Sequence, residues 1–363
     1  MARLSRYLLR LFSSEAASLF AVAAFMLFLI QCLRLFDIVE NKGQSFLTLL
    51  GQAALGMPAL GIVFLYVCLG IGLGRALRNL QAASELQIIH VSGLVPALLR
   101  AVALYTILGT LILLVLAHIV DPLSIRAANG WSANIAADLV SRSMVPHRFT
   151  EVVSGVQLDI GARDSQGNIT DFFADDHRDP DSRRTYFAKS AIITRDEQGY
   201  VLRMQDGAVQ YLTADKRFSQ VSFTRYDLTL DSLTGGFDSG DSLSQTSSLD
   251  LIGAALVSGQ WSDATVQTLF RRSTEAFRAI AMCLFVTGLA AFPTGSRRRF
   301  EVPIELSVLG AAFIERAVTA YVPGLTVFGI ASGTLLLLIL GALILLRKLR
   351  VFSFVRPPRR QAA

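Results

Sequence analysis

Hydrophobic residues in this chain form long runs in the first and last thirds and short alternating runs between them. A helix needs about 20 apolar residues to cross the hydrocarbon core of a bilayer. Six runs are close to that length and cover approximately residues 16–36, 47–73, 96–120, 276–292, 302–321 and 324–346. The pattern therefore predicts six transmembrane helices, three on each side of a polar middle section.

The middle section, residues 121–262, is typical of a β domain. After a helical extension through Leu139, the residues Val156, Leu158 and Ile160 alternate with polar neighbours, as in strands with one buried face. Clusters of turn-forming residues follow at 164–168, 196–199, 205–207 and 213–216. We predict an antiparallel sandwich or jelly roll, with a linker at 231–250. The predicted organisation is helices in 1–120, the β domain with its linker in 121–262, and helices with a basic tail in 263–363.

Proline and glycine interrupt the second apolar run. Pro58 breaks it, and the glycines at 70, 72 and 74 are small enough to let helices pack closely within a bilayer. A nucleotide-binding loop is excluded because the spacing is wrong and no Lys-Ser/Thr pair follows.

Residues Ser84 to Gly93 lie between two apolar runs and predict a short helix. Ser84 and Gln87 fit a capping box, Glu85 falls in the first turn, and Gly93 supplies a stop signal. Two interpretations remain open from the residues alone. The segment is either a docking element for a soluble partner or a turn at the membrane surface.

The first twelve residues predict a helix along a membrane surface. Leu4, Leu8 and Leu11 share one helical face, and three arginines supply positive charge. A secretory signal peptide is the alternative, but the following run, 16–36, is longer than a signal core, so we expect it to be retained.

Composition and charge restrict the class of protein. The chain is 52% hydrophobic and 17% charged, with a mean hydropathy of +0.49, which predicts an integral membrane protein with a soluble insertion. The net charge of +6 does not indicate nucleic-acid binding, because the basic residues flank the apolar runs. If both termini lie in the cytoplasm, most arginines that flank the apolar runs lie on the cytoplasmic side. They are the arginines at positions 3, 6, 10, 75, 78, 100 and 297–299 and those of the tail. The positive-inside rule then places the β domain outside the cytoplasm.

No catalytic motif is present in the sequence, and we predict no metal site and no cofactor. The three cysteines lie within apolar runs, so no disulfide is predicted. Glu275 and Arg278 are spaced as an intrahelical ion pair.

Charged residues inside the predicted spans indicate function, because each costs roughly 2.5–3.5 kcal/mol unless it is paired or faces water. Glu315 and Arg316 are candidate cavity charges. Arg34 either extends to the membrane interface or binds a phosphate group.

The span count, the β insertion after the third span and the motif Ser84-Glu85-Leu86-x-Ile88-x-His90-x-x-Gly93 resemble the LptF/LptG family. This family comprises the permeases of the lipopolysaccharide-export ABC transporter, and the motif is closer to the F member. The resemblance covers nearly the whole chain. It implies a bacterial inner-membrane permease with a periplasmic jelly roll.

The resemblance also implies partners and roles. The permease pairs with a G-like paralogue on a cytoplasmic ATPase dimer, with a single-span LptC-like subunit and a periplasmic bridge protein. The coupling helix after the second span would contact the ATPase through Ser84, Glu85, Leu86, Ile89, His90 and Gly93. Arg34 would lie near the lipid phosphates, and Glu315 and Arg316 would border the same cavity.

Two other classes remain. A membrane scaffold or sensor with a ligand-binding β domain is one alternative, although no cytoplasmic output domain is predicted. A lipoprotein-release permease is the other, and the six predicted spans and the mid-chain insertion argue against it.

Overall fold

The computed structural model describes residues 2–36, 46–143, 147–153, 155–164, 168–179, 182–196, 199–213, 217–229, 242–293, 303–322 and 327–354. The chain divides into two compact units. The first comprises Met1–Arg34, Ala53–Ser124 and Thr246–Ala363, and the second comprises Leu35–Gln52 and Ile125–Gln245.

The described residues form eleven α-helices. Those before the strands are α1 Ala2–Arg34, α2 Phe46–Leu55, α3 Met57–Ala82, α4 Glu85–Val91, α5 Val95–Val115 and α6 Asp121–Ser143, with a π-helical turn Leu116–Val120 between the last two. Those after the strands are α7 Ser242–Gln245, α8 Ser248–Ser258, α9 Asp263–Ala290, α10 Ile304–Tyr321 and α11 Val327–Phe354. Among the described residues, five helical stretches are long and apolar enough to cross a membrane: Arg3–Arg34, Met57–Ala82, Val95–Ser132, Asp263–Ala290 and Gly329–Arg350.

The helix α10 corresponds to the predicted span 302–321 but is not one of these five. It has 18 residues and carries Glu305, Glu315 and Arg316. These three charges within 18 residues set it apart from the five, so the count of six spans stays a prediction.

The predicted boundaries in the first 90 residues need two corrections. The second apolar run is two helices that break at Gly56, because Pro58 is tolerated only in the first turn of a helix. The second of them, α3, continues beyond residue 73 to Ala82. The surface helix and the first span form one continuous helix, α1, and Leu8 on its apolar face is fully buried, so protein rather than lipid covers that face.

The predicted packing role of the α3 glycines is confirmed. A Cβ atom on Gly72 would lie 2.6 Å from the backbone of Ala16, so α1 and α3 approach each other too closely for any side chain there. A Cβ on Gly70 would lie 2.6 Å from Met282 of α9, and one on Gly74 would lie 2.5 Å from Ile304 of α10. The three glycines bring α3 against three different helices.

The second unit contains an antiparallel sheet. Its strands are β1 Thr150–Val153, β2 Val156–Asp159, β3 Ala162–Arg163, β4 Asn168–Asp179, β5 Ser182–Asp196, β6 Gly199–Thr213 and β7 Phe218–Thr229. The order is β1-β2-β4-β5-β6-β7, and β3 also pairs with β4. The predicted antiparallel sheet is confirmed, and its sandwich or jelly-roll form stays a prediction.

A transverse crease crosses this sheet. Asp171 in β4 and Asp206 in β6 both have a positive φ, near 52° and 51°. The residues before and after the two aspartates pair with each other across β4 to β7, so both aspartates lie at the same level of the sheet. The two rows of paired residues are Thr170–Ser190–Gln205–Arg225 and Phe172–Ala188–Gly207–Phe223.

In the strands β4 to β6, buried residues alternate with less buried ones, and the buried set shifts by one position at this crease. In β6, Leu202 and Met204 are buried before it and Val209 after it. In β5, Tyr186 and Ala188 are buried on one side of it and Ala191 on the other. The crease therefore lets one continuous sheet keep its apolar residues in one core although the buried alternation changes.

The predicted turn at 205–207 is consequently wrong, because β6 runs through it. The Asp-Gly pair instead supplies Asp206, the left-handed residue of the crease in β6. Aspartate tolerates a positive φ better than most residues.

A prediction follows for Asp206. Asp206→Val should destabilise the sheet by about 1–2 kcal/mol, because a β-branched residue is strained at positive φ, whereas Asp206→Gly should be tolerated. Amide hydrogen exchange of β5 to β7 in the detergent-solubilised chain measures the effect. Lys189→Val, at the same level of the sheet but without positive φ, is the control. Equal exchange in Asp206→Val and Lys189→Val contradicts the account.

Ion pairs support the rim of the sheet. The hydrogen bond from Arg225 lowers the pKa of Asp227 to about 2, and Arg203 adds to this effect. Asp176 is held in its charged form by Arg178, whose hydrogen bonds lower the pKa of this carboxyl. Both carboxylates therefore stay ionised at neutral pH.

Candidate functional site

The short helix α4 begins at a sharp reversal of the chain. Ser84 has a φ of 61°, in the left-handed region, and its side chain makes no capping hydrogen bond. The predicted capping box with Gln87 is therefore wrong. The chain leaves α3 at Ala82 and re-enters a helix at Glu85, and the left-handed Ser84 makes this turn. Its backbone N–H donates to the carbonyl of Gln81 at 3.0 Å, and its own carbonyl accepts from Ile88 at 3.3 Å.

The predicted stop at Gly93 is confirmed. Gly93 has a φ of 70°, and its N–H donates to the carbonyl of His90. The next N–H, that of Leu94, donates to the carbonyl of Ile89 at 3.0 Å. These two bonds form a Schellman motif, which ends the helix and turns the chain into α5.

The two faces of α4 differ sharply. Leu86 is completely buried, and Ile89 is nearly so. On the opposite face, Ile88 is 63% exposed and Val91 is 89% exposed. Glu85 is exposed in the first turn, beside that outer face. An apolar outer face flanked by one carboxylate is suited to contact with another protein.

Ile88 and Val91 were not among the predicted site residues. The signal for them is their spacing of three residues, which places them on one side of a helix while Leu86 and Ile89 occupy the other. Sequence alone does not say which of the two apolar pairs is buried.

His90 anchors α4 to the end of α9. Its Nε2 donates to the backbone carbonyl of Ala291 at 2.9 Å, and its ring lies 5.5 Å from the ring of Phe292. Ala291 is the C-cap residue that directly follows α9. The predicted site residue His90 is thus a structural link between α4 and α9.

Arg34 is the last residue of α1 and is exposed. The preceding outer positions of α1 are also exposed and apolar: Val22, Phe25, Met26, Ile30 and Leu33. Among the residues that the structure describes, Arg34 forms no ion pair. Its proposed contact with lipid phosphate stays a prediction.

Glu315 and Arg316 belong to a buried charged cluster. Glu315 is 1% exposed, and its Oε1 accepts a hydrogen bond from Nε of Arg278 in α9 at 2.8 Å. Thr334 of α11 donates to the same oxygen at 3.1 Å. Arg278 also pairs with Glu275, which confirms the predicted ion pair, and Arg316 reaches Glu275 at 3.3 Å. The cluster therefore joins α9, α10 and α11.

The structure brings Glu315 and Arg316 together with Glu275 and Arg278 but forms no bond between this cluster and Arg34 among the described residues. Arg316 also lies over the ring of Tyr66 in α3, at 5.9 Å. The link between Arg278 and Glu315 was missed because 37 residues separate them and no sequence period connects them.

An apolar groove of about 360 Å³ opens beside the cluster, between α9, α10 and α11. Glu315 and Ser307 are its polar lining residues, and the rest are aliphatic, aromatic or glycine: Phe285, Leu289, Leu306, Gly310, Ala311, Ile314, Leu336, Leu337 and Leu340. The described part of the chain holds no cluster of three or more side chains suited to a metal ion.

Comparison with known families decides the classification. A sequence model described as lipopolysaccharide export system permease LptF/LptG matches residues 6–348. This chain belongs to the LptF/LptG family. The match does not separate the F member from the G member, and no curated protein matches the chain. LptF/LptG proteins are transport subunits of the inner membrane rather than enzymes, and their cargo is lipopolysaccharide.

Proposed function

We propose that this LptF/LptG chain takes lipopolysaccharide from the inner membrane and passes it to a periplasmic bridge, driven by a partner ATPase that docks on α4. The observation that carries the proposal is the two-sided character of α4. Its inner face is buried on the permease, and its outer face offers Ile88, Val91 and the nearby Glu85. A helix fixed on one side and apolar on the other is suited to transmit the movement of a docked partner.

The membrane arrangement follows from the same proposal. The helix α10 serves as the sixth span, because Glu315 and Arg316 are paired within the cluster rather than left in lipid. Both termini and α4 then lie in the cytoplasm, and the sheet lies in the periplasm, as the positive-inside rule favours. Arg34 comes near the phosphates of the lipid, where a guanidinium can bind them in a bidentate manner.

The creased sheet supports a role in lipid transfer. Its core face is lined by aliphatic and aromatic residues from β2 to β7, which suits acyl chains. We propose that this face receives the lipid before the bridge does. A G-like paralogue and a single-span LptC-like subunit would complete the assembly.

The test is affinity purification of the tagged chain from bacterial inner membranes, followed by measurement of ATP hydrolysis. The chain should retain an ATPase, and lipopolysaccharide should stimulate hydrolysis. Glu85→Lys should lower both by about tenfold or more, because charge-assisted contacts at an interface are worth roughly 1.5–3 kcal/mol.

A matched control separates docking from helix stability. Asp263→Lys removes an exposed carboxylate from the first turn of α9, so it has the same effect on a helix dipole as Glu85→Lys. It should leave ATPase retention unchanged. If the two variants behave alike, or if Glu85→Lys changes nothing, the coupling role of Glu85 is wrong.

A further inference from the structure

An ion pair joins the helix before α4 to the beginning of α10. Nε of Arg75 in α3 lies 2.9 Å from Oε1 of Glu305, which is in the first turn of α10. The two side chains are 44% and 35% exposed and line a polar cavity of about 350 Å³. Because water screens an exposed ion pair, this contact can break and reform at little cost.

The other contacts of α10 are of a different kind. About 15 Å further along the helix, Oε1 of Glu315 is bonded to Arg278 and Thr334, and these groups are buried. Gly333 of α11 lies so close to the carbonyl of Glu315 that no side chain fits between the two helices. The polar contact of α10 is therefore buried at Glu315 and exposed at Glu305, where the neighbouring Ile304 packs against Gly74 of α3.

Movement of α4 would reach the contact at Glu305 directly. The segment between α3 and α4 is short and bonded internally, since the N–H groups of Ala83 and Ser84 donate to Asn79 and Gln81, each at 3.0 Å. The end of α3 therefore follows α4. Arg75 lies about two turns before that end, where its guanidinium holds Glu305.

We propose that Arg75 and Glu305 are positioning residues that transmit a displacement of α4 to α10, with α10 turning about the contacts at Glu315. This inference rests on the proposed function, because it takes a partner ATPase as the source of the displacement. It assigns a route to α10 that is separate from the bond of His90, which connects α4 to α9.

Exchange of the two charges tests the inference. The full complex, with its co-purified ATPase, is reconstituted in proteoliposomes, and the lipopolysaccharide released per ATP hydrolysed is measured. Arg75→Glu and Glu305→Arg should each lower this ratio by about two- to fivefold, since each replaces an attraction by a repulsion. The double variant should restore the ratio to within about twofold of the unchanged chain.

Arg100→Glu, an equal charge change at an exposed position in α5, is the control and should leave the ratio unchanged. Should a single reversal fail to fold, Glu305→Gln removes the attraction without a repulsion and should lower the ratio about twofold. If the unchanged chain retains no ATPase, or if lipopolysaccharide does not stimulate ATP hydrolysis, the proposed function itself is refuted. A working unchanged chain whose single variants match Arg100→Glu, or whose double variant is no better than the singles, overturns only the role of Arg75 and Glu305.

Discussion

Arg278→Leu is expected to destabilise the folded chain by about 3 kcal/mol, because it removes the closest counter-charge of a buried carboxylate and leaves it only the more distant guanidinium of Arg316, at 4.0 Å. Glu315 is 1% exposed, and its Oε2 already has no hydrogen-bond partner. Removal of Arg278 takes away the strongest partner of Oε1 and leaves Thr334 and Thr319.

Two further variants make this expectation specific. Arg278→Leu combined with Glu315→Leu should regain most of the lost stability, because apolar residues often replace a buried ion pair without loss. Arg225→Leu removes the exposed partner of Asp227 and should cost less than about 1 kcal/mol. The midpoint of thermal unfolding and the yield of monodisperse protein in one detergent measure all three. A single Arg278→Leu variant as stable as Arg225→Leu, or a double variant no better than the single, contradicts the role of the cluster.

Val91→Asp is expected to lower the affinity for the partner ATPase by about 30-fold or more, without loss of folded chain. Val91 is 89% exposed, so an aspartate there leaves the core of the permease intact. At the centre of a docked face, however, the new carboxylate would be desolvated, and central contacts of this kind are worth about 2 kcal/mol or more.

Val257→Asp is the matched control. Val257 lies on the short helix α8 and is 92% exposed, so the substitution makes the same chemical change at the same exposure away from α4. Titration of the purified ATPase against the permease in detergent gives the two affinities. Equal affinities for the two variants would remove the outer face of α4 from the interface.

The sequence predicted the positions of the membrane helices better than their ends. The apolar runs located the helices, because the bilayer length fixes a signal that needs no tertiary information. The ends of the helices were less accurate. Whether α3 stops at Leu73 or continues to Ala82 depends on its packing against other helices.

The β domain shows why local turn chemistry is ambiguous. Asp206-Gly207 carries a strong turn signal, and the structure uses it for a positive φ within a continuous strand. The deciding factor is the pairing on both sides of β6, which holds the strand extended through the left-handed residue. No short window of sequence encodes this pairing, so the sequence predicted the β domain but not the continuity of β6 through residues 205–207.

The short helix at the candidate site was predicted in position and only partly in detail. The segment 84–93 and its glycine stop are confirmed, because Gly93 supplies the positive φ that the termination of α4 needs. The start was wrong, because the short distance from α3 forces Ser84 into the left-handed region where it cannot cap. The outer face of α4 became evident only from the exposure of its side chains, because Val91 is exposed and Ile89 is buried.

Site-specific photo-crosslinking from position 91 tests the central claim, that α4 is the docking helix of a lipopolysaccharide permease. A photoreactive residue replaces Val91 in the full chain, in cells, and a second sample carries it at the equally exposed Val257. The account predicts an ultraviolet-dependent adduct between position 91 and a cytoplasmic ATPase, and none from position 257. An adduct from position 91 with lipid alone would contradict the account, because α4 would then be a turn at the membrane surface.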